Sequence, residues 1–138
     1  MLRKNLSAGL LLLAFAACTK EKIVEVEKIV EVEKPNPVNI TITSPKPTDE
    51  YAHGDTVRIK ALLTGVTTLH GYELSVRNSD HHDEVIYLNS VHSHDKVLNV
   101  DTFWVNNQTG EGTRSINILA NLDHDGNVSG KKVYFAVK

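Results

Sequence analysis

"TVRIKALL", residues 56–63, alternates without a break: Val57, Ile59, Ala61 and Leu63 fall on one side, Thr56, Arg58, Lys60 and Leu62 on the other. Successive side chains of an extended chain point to opposite faces, so the stretch predicts a strand with one buried and one solvated face. The same period of two recurs on both sides of it. Upstream, a strand over 38–43 is closed by "SPKPTDEYAHGD", residues 44–55, which is rich in turn residues. Downstream, a strand over 70–77 turns Tyr72, Leu74 and Val76 inward, and shorter patterns cover 84–89 and 96–105. The last two strands, over 113–122 and 131–137, present Ile116, Ile118, Ala120 and Leu122, and then Val133, Phe135 and Val137. Ile59, Leu74, Ile118 and Phe135 each take the inward register and are expected in one shared core.

Seven short strands and no helical stripe predict an all-β fold, a seven-strand sandwich of the immunoglobulin-like (Ig-like) kind, over residues 35–138. The stretches "ITITSPKPTDEYAHGDTVRIKA" at its start and "ANLDHDGNVSGKKVYFAVK" at its end resemble the disulfide-free Ig-like domains of bacterial surface proteins. Asp123, Gly126 and Asn127 match the Asp-x-x-Gly-Asn turn with which such domains often join their last two strands. Trp104, the single tryptophan, lies late in the fifth strand, away from the position that antibody domains use. The middle stretch, "LHGYELSVRNSDHHDE", is similar to a histidine-bearing Bacteroidota lipoprotein family of unknown function, and that likeness implies no activity.

Ahead of the domain the composition changes. Arg3 and Lys4 precede the apolar run "LLLLAFAA", residues 10–17, which reads as a secretory signal peptide and is too short for a transmembrane span. The run ends in "FAAC", with Cys18 the only cysteine of the chain. Small residues before a solitary cysteine resemble the bacterial lipobox, although Phe15 stands where Leu is usual. That resemblance implies cleavage after residue 17 and acylation of Cys18. Residues 18–34 then form a stalk in which "KIVEVE" occurs twice before Lys34. A period of six fits neither a heptad nor a multiple of 3.6, so a coiled-coil seam is not expected, while extended and helical forms both stay open. Such Lys/Val/Glu repeats after a lipid-bearing cysteine look like those of Bacteroidota surface lipoproteins.

Charge and motifs narrow the function. Fifteen Lys and Arg face 17 Asp and Glu, a formal charge of −2, which becomes −4 once Arg3 and Lys4 are removed. Nucleic acid and anionic headgroups need a basic face, so neither is an expected partner, and the membrane is reached only through the lipid. The sequence has no Gly-x-Ser-x-Gly elbow, no phosphate-binding glycine loop and no His-Glu-x-x-His, and an enzyme is not expected. "DHDGN", residues 123–127, opens like a calcium loop but continues with Val128 and Tyr134 where Gly and Glu are needed, so it reads as a turn. "DTV", residues 55–57, resembles an O-glycosylation motif of Bacteroidota, yet Asp55 closing a turn explains it as well.

Seven histidines remain, and topology sorts them. In a seven-strand sandwich, loops two, four and six gather at one end. That groups His70, His92, His94 and His124 and sends His53, His81 and His82 to the other end. "DHHDEVIYLNSVHSHD", residues 80–95, is therefore not one site: the strand inside it separates its histidines by roughly 23 Å. His92-x-His94 on extended chain puts both imidazoles on one side. His70 or His124, with Asp95 or Asp123, would complete three or four ligands, a set suited to zinc or cupric copper. Ordinary surface histidines are the alternative explanation.

Three functions follow in order. The first is a lipid-anchored envelope protein, at the outer membrane on its cell-surface or periplasmic face, presenting one Ig-like domain for binding or structure to a protein or glycan partner. The second is a zinc- or copper-binding lipoprotein using His70, His92, His94 and His124. The third is a glycan-binding accessory domain, for which exposed aromatics are few.

Acylation of Cys18 is directly testable. Two or three acyl chains, at about 0.8 kcal/mol per buried CH₂, give firm attachment that one chain does not. Cys18→Ala is expected to move the protein from the membrane pellet into the soluble envelope fraction on cell fractionation; a pellet of undiminished yield would refute the anchor.

Overall fold

The structure is a computed structural model that describes residues 37–138; the leader over 1–17, Cys18 and the repeat over 18–34 lie outside the described residues. The described chain is all β, with eight strands: β1 (Val38–Ser44), β2 (Glu50–Tyr51), β3 (Thr56–Gly65), β4 (Tyr72–Asn78), β5 (Glu84–Val91), β6 (Val97–Val105), β7 (Gly112–Asn121) and β8 (Val128–Val137). They form two sheets, one of three strands in the order β1-β3-β6 and one of five in the order β2-β8-β7-β4-β5. The fold is an Ig-like β-sandwich.

β3 carries the opening pattern through to its neighbours. Its burial alternates residue by residue, with Val57, Ile59, Ala61 and Leu63 inward, because one face of the sheet is covered and the other is not. Antiparallel partners on both sides keep the register: Ile40 lies opposite Leu63 on β1, and Val100 opposite Ala61 on β6. In the larger sheet, Leu74 of β4 lies opposite Ile118 of the neighbouring β7. Ile59, Leu74, Ile118 and Phe135 are all buried in the one hydrophobic core, as their registers require. Trp104 joins that core from β6, opposite Val57.

Three features differ from the sequence expectation. The segment over 44–55 is not only a closing turn: it carries the chain from the smaller sheet to the larger, where Glu50 and Tyr51 pair in parallel with Ala136 and Val137. A two-residue strand shows no period, so hydrophobic alternation does not reveal it. The strand expected over 84–89 runs on to Val91 and pairs with β4 at the edge of the five-stranded sheet. β8 likewise starts earlier than expected, at Val128, pairing with Asn121 of β7.

Strand direction places the ends of the domain. Val38 lies opposite Gly65, and the Val66 N–H donates to the Pro37 carbonyl at 2.9 Å, so the chain joins the sandwich where β3 leaves it. Lys138 lies at the other end, where its N–H donates to the Tyr51 carbonyl at 3.0 Å.

No sulfur-bearing side chain occurs among the described residues, so hydrophobic burial carries this core without disulfides. Leu74→Ala or Ile118→Ala, at fully buried positions, is expected to cost about 2–5 kcal/mol of unfolding free energy in denaturant titration. Leu62→Ala, on the solvated face of β3, should change it by no more than about 0.5 kcal/mol.

Candidate metal centre

Four histidines meet at the end of the sandwich where β3 leads into β4, β5 into β6, and β7 into β8. His70 is on the first connection, His92 and His94 on the second, and His124 on the third. One ring nitrogen from each of His70, His94 and His124 lies within 4.8 Å of the others. The rings of His70 and His124 stack edge-on at 4.1 Å between centroids, and those of His70 and His94 at 4.9 Å. His92 adjoins the group, its Nε2 at 3.0 Å from Nε2 of His94 in a shared hydrogen bond.

Each connection has a local reason for its shape. His92 and His94 are two apart on extended chain, so their rings share a side. His124 is held out by an Asx turn: Oδ1 of Asp123 accepts the backbone N–H groups of Asp125 at 2.9 Å and Asn127 at 3.1 Å, and Oδ2 accepts the Asn127 side-chain amide at 2.6 Å. This is the turn that "DHDGN" predicts. His70 is brought in from further away. The Leu69 N–H donates to the Asp95 carbonyl at 3.0 Å, the His70 N–H to the Asn121 carbonyl at 2.7 Å, and the Asn121 N–H to the Gly71 carbonyl at 2.9 Å. Leu69, fully buried beneath these bonds, anchors the connection to the core.

Gly71 sets how closely the connections approach. It sits at φ +111°, and a Cβ there would overlap the Val91 carbonyl oxygen and press on Cα of His92. Only glycine lets the β3–β4 connection lie against the backbone that carries His92. The glycine in "LHGY" is the one sequence signal for this contact, and alternation alone passes over it.

The electrostatics favour a neutral imidazole at the centre of the group. Burial, and then the neighbouring His124 and His94 rings, hold His70 below the usual imidazole range, against an opposing pull from Asp123. Its Nδ1 is buried with no hydrogen-bond partner, a polar atom whose desolvation nothing in the protein offsets. The Asn127 side chain is the main reason the Asp123 carboxyl lies below the usual carboxylate range. Neither carboxylate that the sequence offers as a ligand joins the histidine group: Asp123 is engaged by its own turn, and Oδ2 of Asp95 accepts the Ser93 hydroxyl. The group that meets is made of imidazoles.

The remaining histidines lie elsewhere. His53 Nδ1 is 3.1 Å from the Gln108 carbonyl oxygen, and His81 Nδ1 is 3.4 Å from Oε2 of Glu84. His82, at φ 52°, belongs to the turn between β4 and β5. The eight residues of β5 hold that turn about 25 Å from His92.

No family model matches the chain, and no curated protein matches it. Among solved structures it is similar to the fibronectin(III)-like modules of Clostridium thermocellum CbhA, with 18% identity over 73% of this chain and a TM-score of 0.47; it spans 46% of that chain. It is also similar to the CARDB domain of the PF1109 protein of Pyrococcus furiosus, solved in complex with di-metal ions, with 16% identity over 71% of this chain and 86% of that one and a TM-score of 0.42.

Gly71→Ala is expected to destabilise the domain by about 1–3 kcal/mol and to spread the histidines. Gly126→Ala serves as its control: φ there is +87°, yet a Cβ would meet nothing within 4 Å. Chemical denaturation should show the larger loss at Gly71, and equal losses would mean that the approach to Val91 is not what requires glycine.

Proposed function

We propose that this protein is a lipid-anchored envelope protein whose sandwich binds a divalent transition metal, zinc or cupric copper, at its histidine end. The observation that carries the metal reading is the meeting of His70, His94 and His124 within 4.8 Å from three separate connections. Imidazoles at the ends of different strands do not converge through local sequence, and three imidazole nitrogens suit borderline cations. Anchoring is supported by the "FAAC" sequence ending at Cys18 and by the repeat that follows it.

The sandwich itself is a scaffold for binding or structural roles, and binding fits this end better than catalysis. One cleft of about 420 Å³ lies over Thr43, Lys60, Leu62 and Asp101, and another of about 540 Å³ lies beside Ile86, Tyr87, Phe103 and Trp104. Neither lining includes one of the four histidines, so neither brings a substrate to them. The second cleft does not favour a glycan, since Trp104 is only 7% exposed and presents no open indole face for stacking.

Zinc titration of the chain purified without a polyhistidine tag tests the reading. The expected result is one zinc per chain with a dissociation constant tighter than about 10 μM. His70→Ala, His94→Ala and His124→Ala should each weaken it about tenfold or more, with His81→Ala unchanged. Excess zinc should raise the melting temperature, because an ion that binds only the folded form adds about 2.7 kcal/mol at a hundred times its dissociation constant. Zinc binding that survives all three substitutions would refute the site.

A further inference from the structure

We propose that His92 is a fourth ligand that closes the centre, so that the ion is held by four imidazoles with no position left for solvent or substrate; this rests on the metal reading above. The packing of the rings carries the inference. Five ring pairs among the four histidines lie at centroid separations of 4.1, 4.6, 4.9, 5.7 and 6.3 Å. Four imidazoles on one tetrahedral ion with metal–nitrogen bonds near 2 Å have centroids about 5 Å apart. The nitrogens of His70, His94 and His124 lie within 4.8 Å of one another, and the His92 ring stands beside them, 4.6 Å from His94 and 6.3 Å from His124.

The nitrogen positions agree. Two ligand atoms of one tetrahedral zinc stand about 3.3 Å apart, and Nε2 of His92 and Nε2 of His94 stand 3.0 Å apart. Two imidazole nitrogens face each other at this separation only with something between their lone pairs, a proton or a metal ion. His92 shares a hydrogen bond with His94, a ring that is itself in the group, which sets its Nε2 close to the spacing of two ligands on one ion. His70 fixes the other side through its backbone hydrogen bond to Asn121.

The donor set defines the ligand class. Four imidazole nitrogens without a carboxylate do not suit magnesium or calcium, which take oxygen ligands. With no sulfur among the described residues, cuprous copper is also poorly served, since it selects thiolate and thioether. Zinc, cobalt(II), nickel(II) and cupric copper fit. Catalytic zinc sites keep an open position and closed four-coordinate sites do not, so His92 makes this a centre that holds its ion.

Cobalt(II) is the probe, added to the full untagged chain and followed by visible absorption, with zinc as the competitor. The wild type is expected to show the intense bands of four-coordinate cobalt, unchanged by added imidazole. His92→Ala should bind at least about tenfold more weakly, and added imidazole should shift its spectrum back toward the wild type by filling the vacated position. His92→Gln, measured beside it with melting temperatures in the absence of metal, separates loss of a ligand from loss of fold. A wild-type spectrum that responds to added imidazole, or a His92→Ala protein with unchanged affinity and bands, would overturn the fourth ligand while leaving the three-histidine site. Failure of the wild type to bind either ion would overturn the metal reading and this inference together.

Discussion

The register of β3 is the constraint on which the sandwich depends. A shift by one residue would turn Arg58 and Lys60 into the space now filled by Val57, Ile59 and Leu63, each 0% exposed. Two unpaired charges would then be buried, at a cost of several kcal/mol each. β3 is the middle strand of its sheet, so β1 and β6 take their places from it. Its end is set as well: the Gly65 N–H donates to the Lys96 carbonyl at 2.8 Å, which holds the β3–β4 connection against the β5–β6 connection. The histidines inherit their positions from this chain of contacts.

At that end, charge serves geometry. Asp123 shapes the turn that holds out His124, and Asp95 accepts from Ser93 two residues before it in the chain. The Asp123 carboxylate acts on His70 without occupying a ligand position, the arrangement in which neighbouring groups orient ligands and favour a cation. The interior contribution is different in kind. Leu69 and Gly71 flank His70, one buried in the core and one pressed against the Val91 backbone, so His70 is the member of the group with the least freedom to move.

Much of this is legible in the residues, because a period of two carries over many positions. The inward face of β3, the burial of Leu74 and Ile118, and the sorting of loops to two ends all follow from alternation and strand parity. β2 is not legible: two residues pairing in parallel with β8 have no pattern of their own. Pairing of β5 with β4 is likewise a choice between sheets that a half-exposed strand does not declare. At the histidine end, parity brings the four side chains to one end but says nothing of their distances. Those depend on long-range backbone hydrogen bonds, such as that from His70 to Asn121, and on a glycine whose role is a contact with a strand twenty residues away. Asp95 and Asp123 read as ligands in a sequence because nearness along the chain does not show which hydrogen bonds a carboxylate has already made.

The chain joins the sandwich beside the histidines and ends at the opposite pole, and both β1 and β8 run from the first end toward the second. A pull between Pro37 and Lys138 therefore acts along the strands. The ladder between β1 and β3 meets such a force in shear, with its hydrogen bonds lying across the load and sharing it together, where a pull from one corner would open them one at a time. The end that receives the force is also the one where three connections are stitched by backbone hydrogen bonds. A domain built this way resists extension along its strands at the pole where it gathers its imidazoles, and an ion held there would add a mechanical clasp to a chemical one.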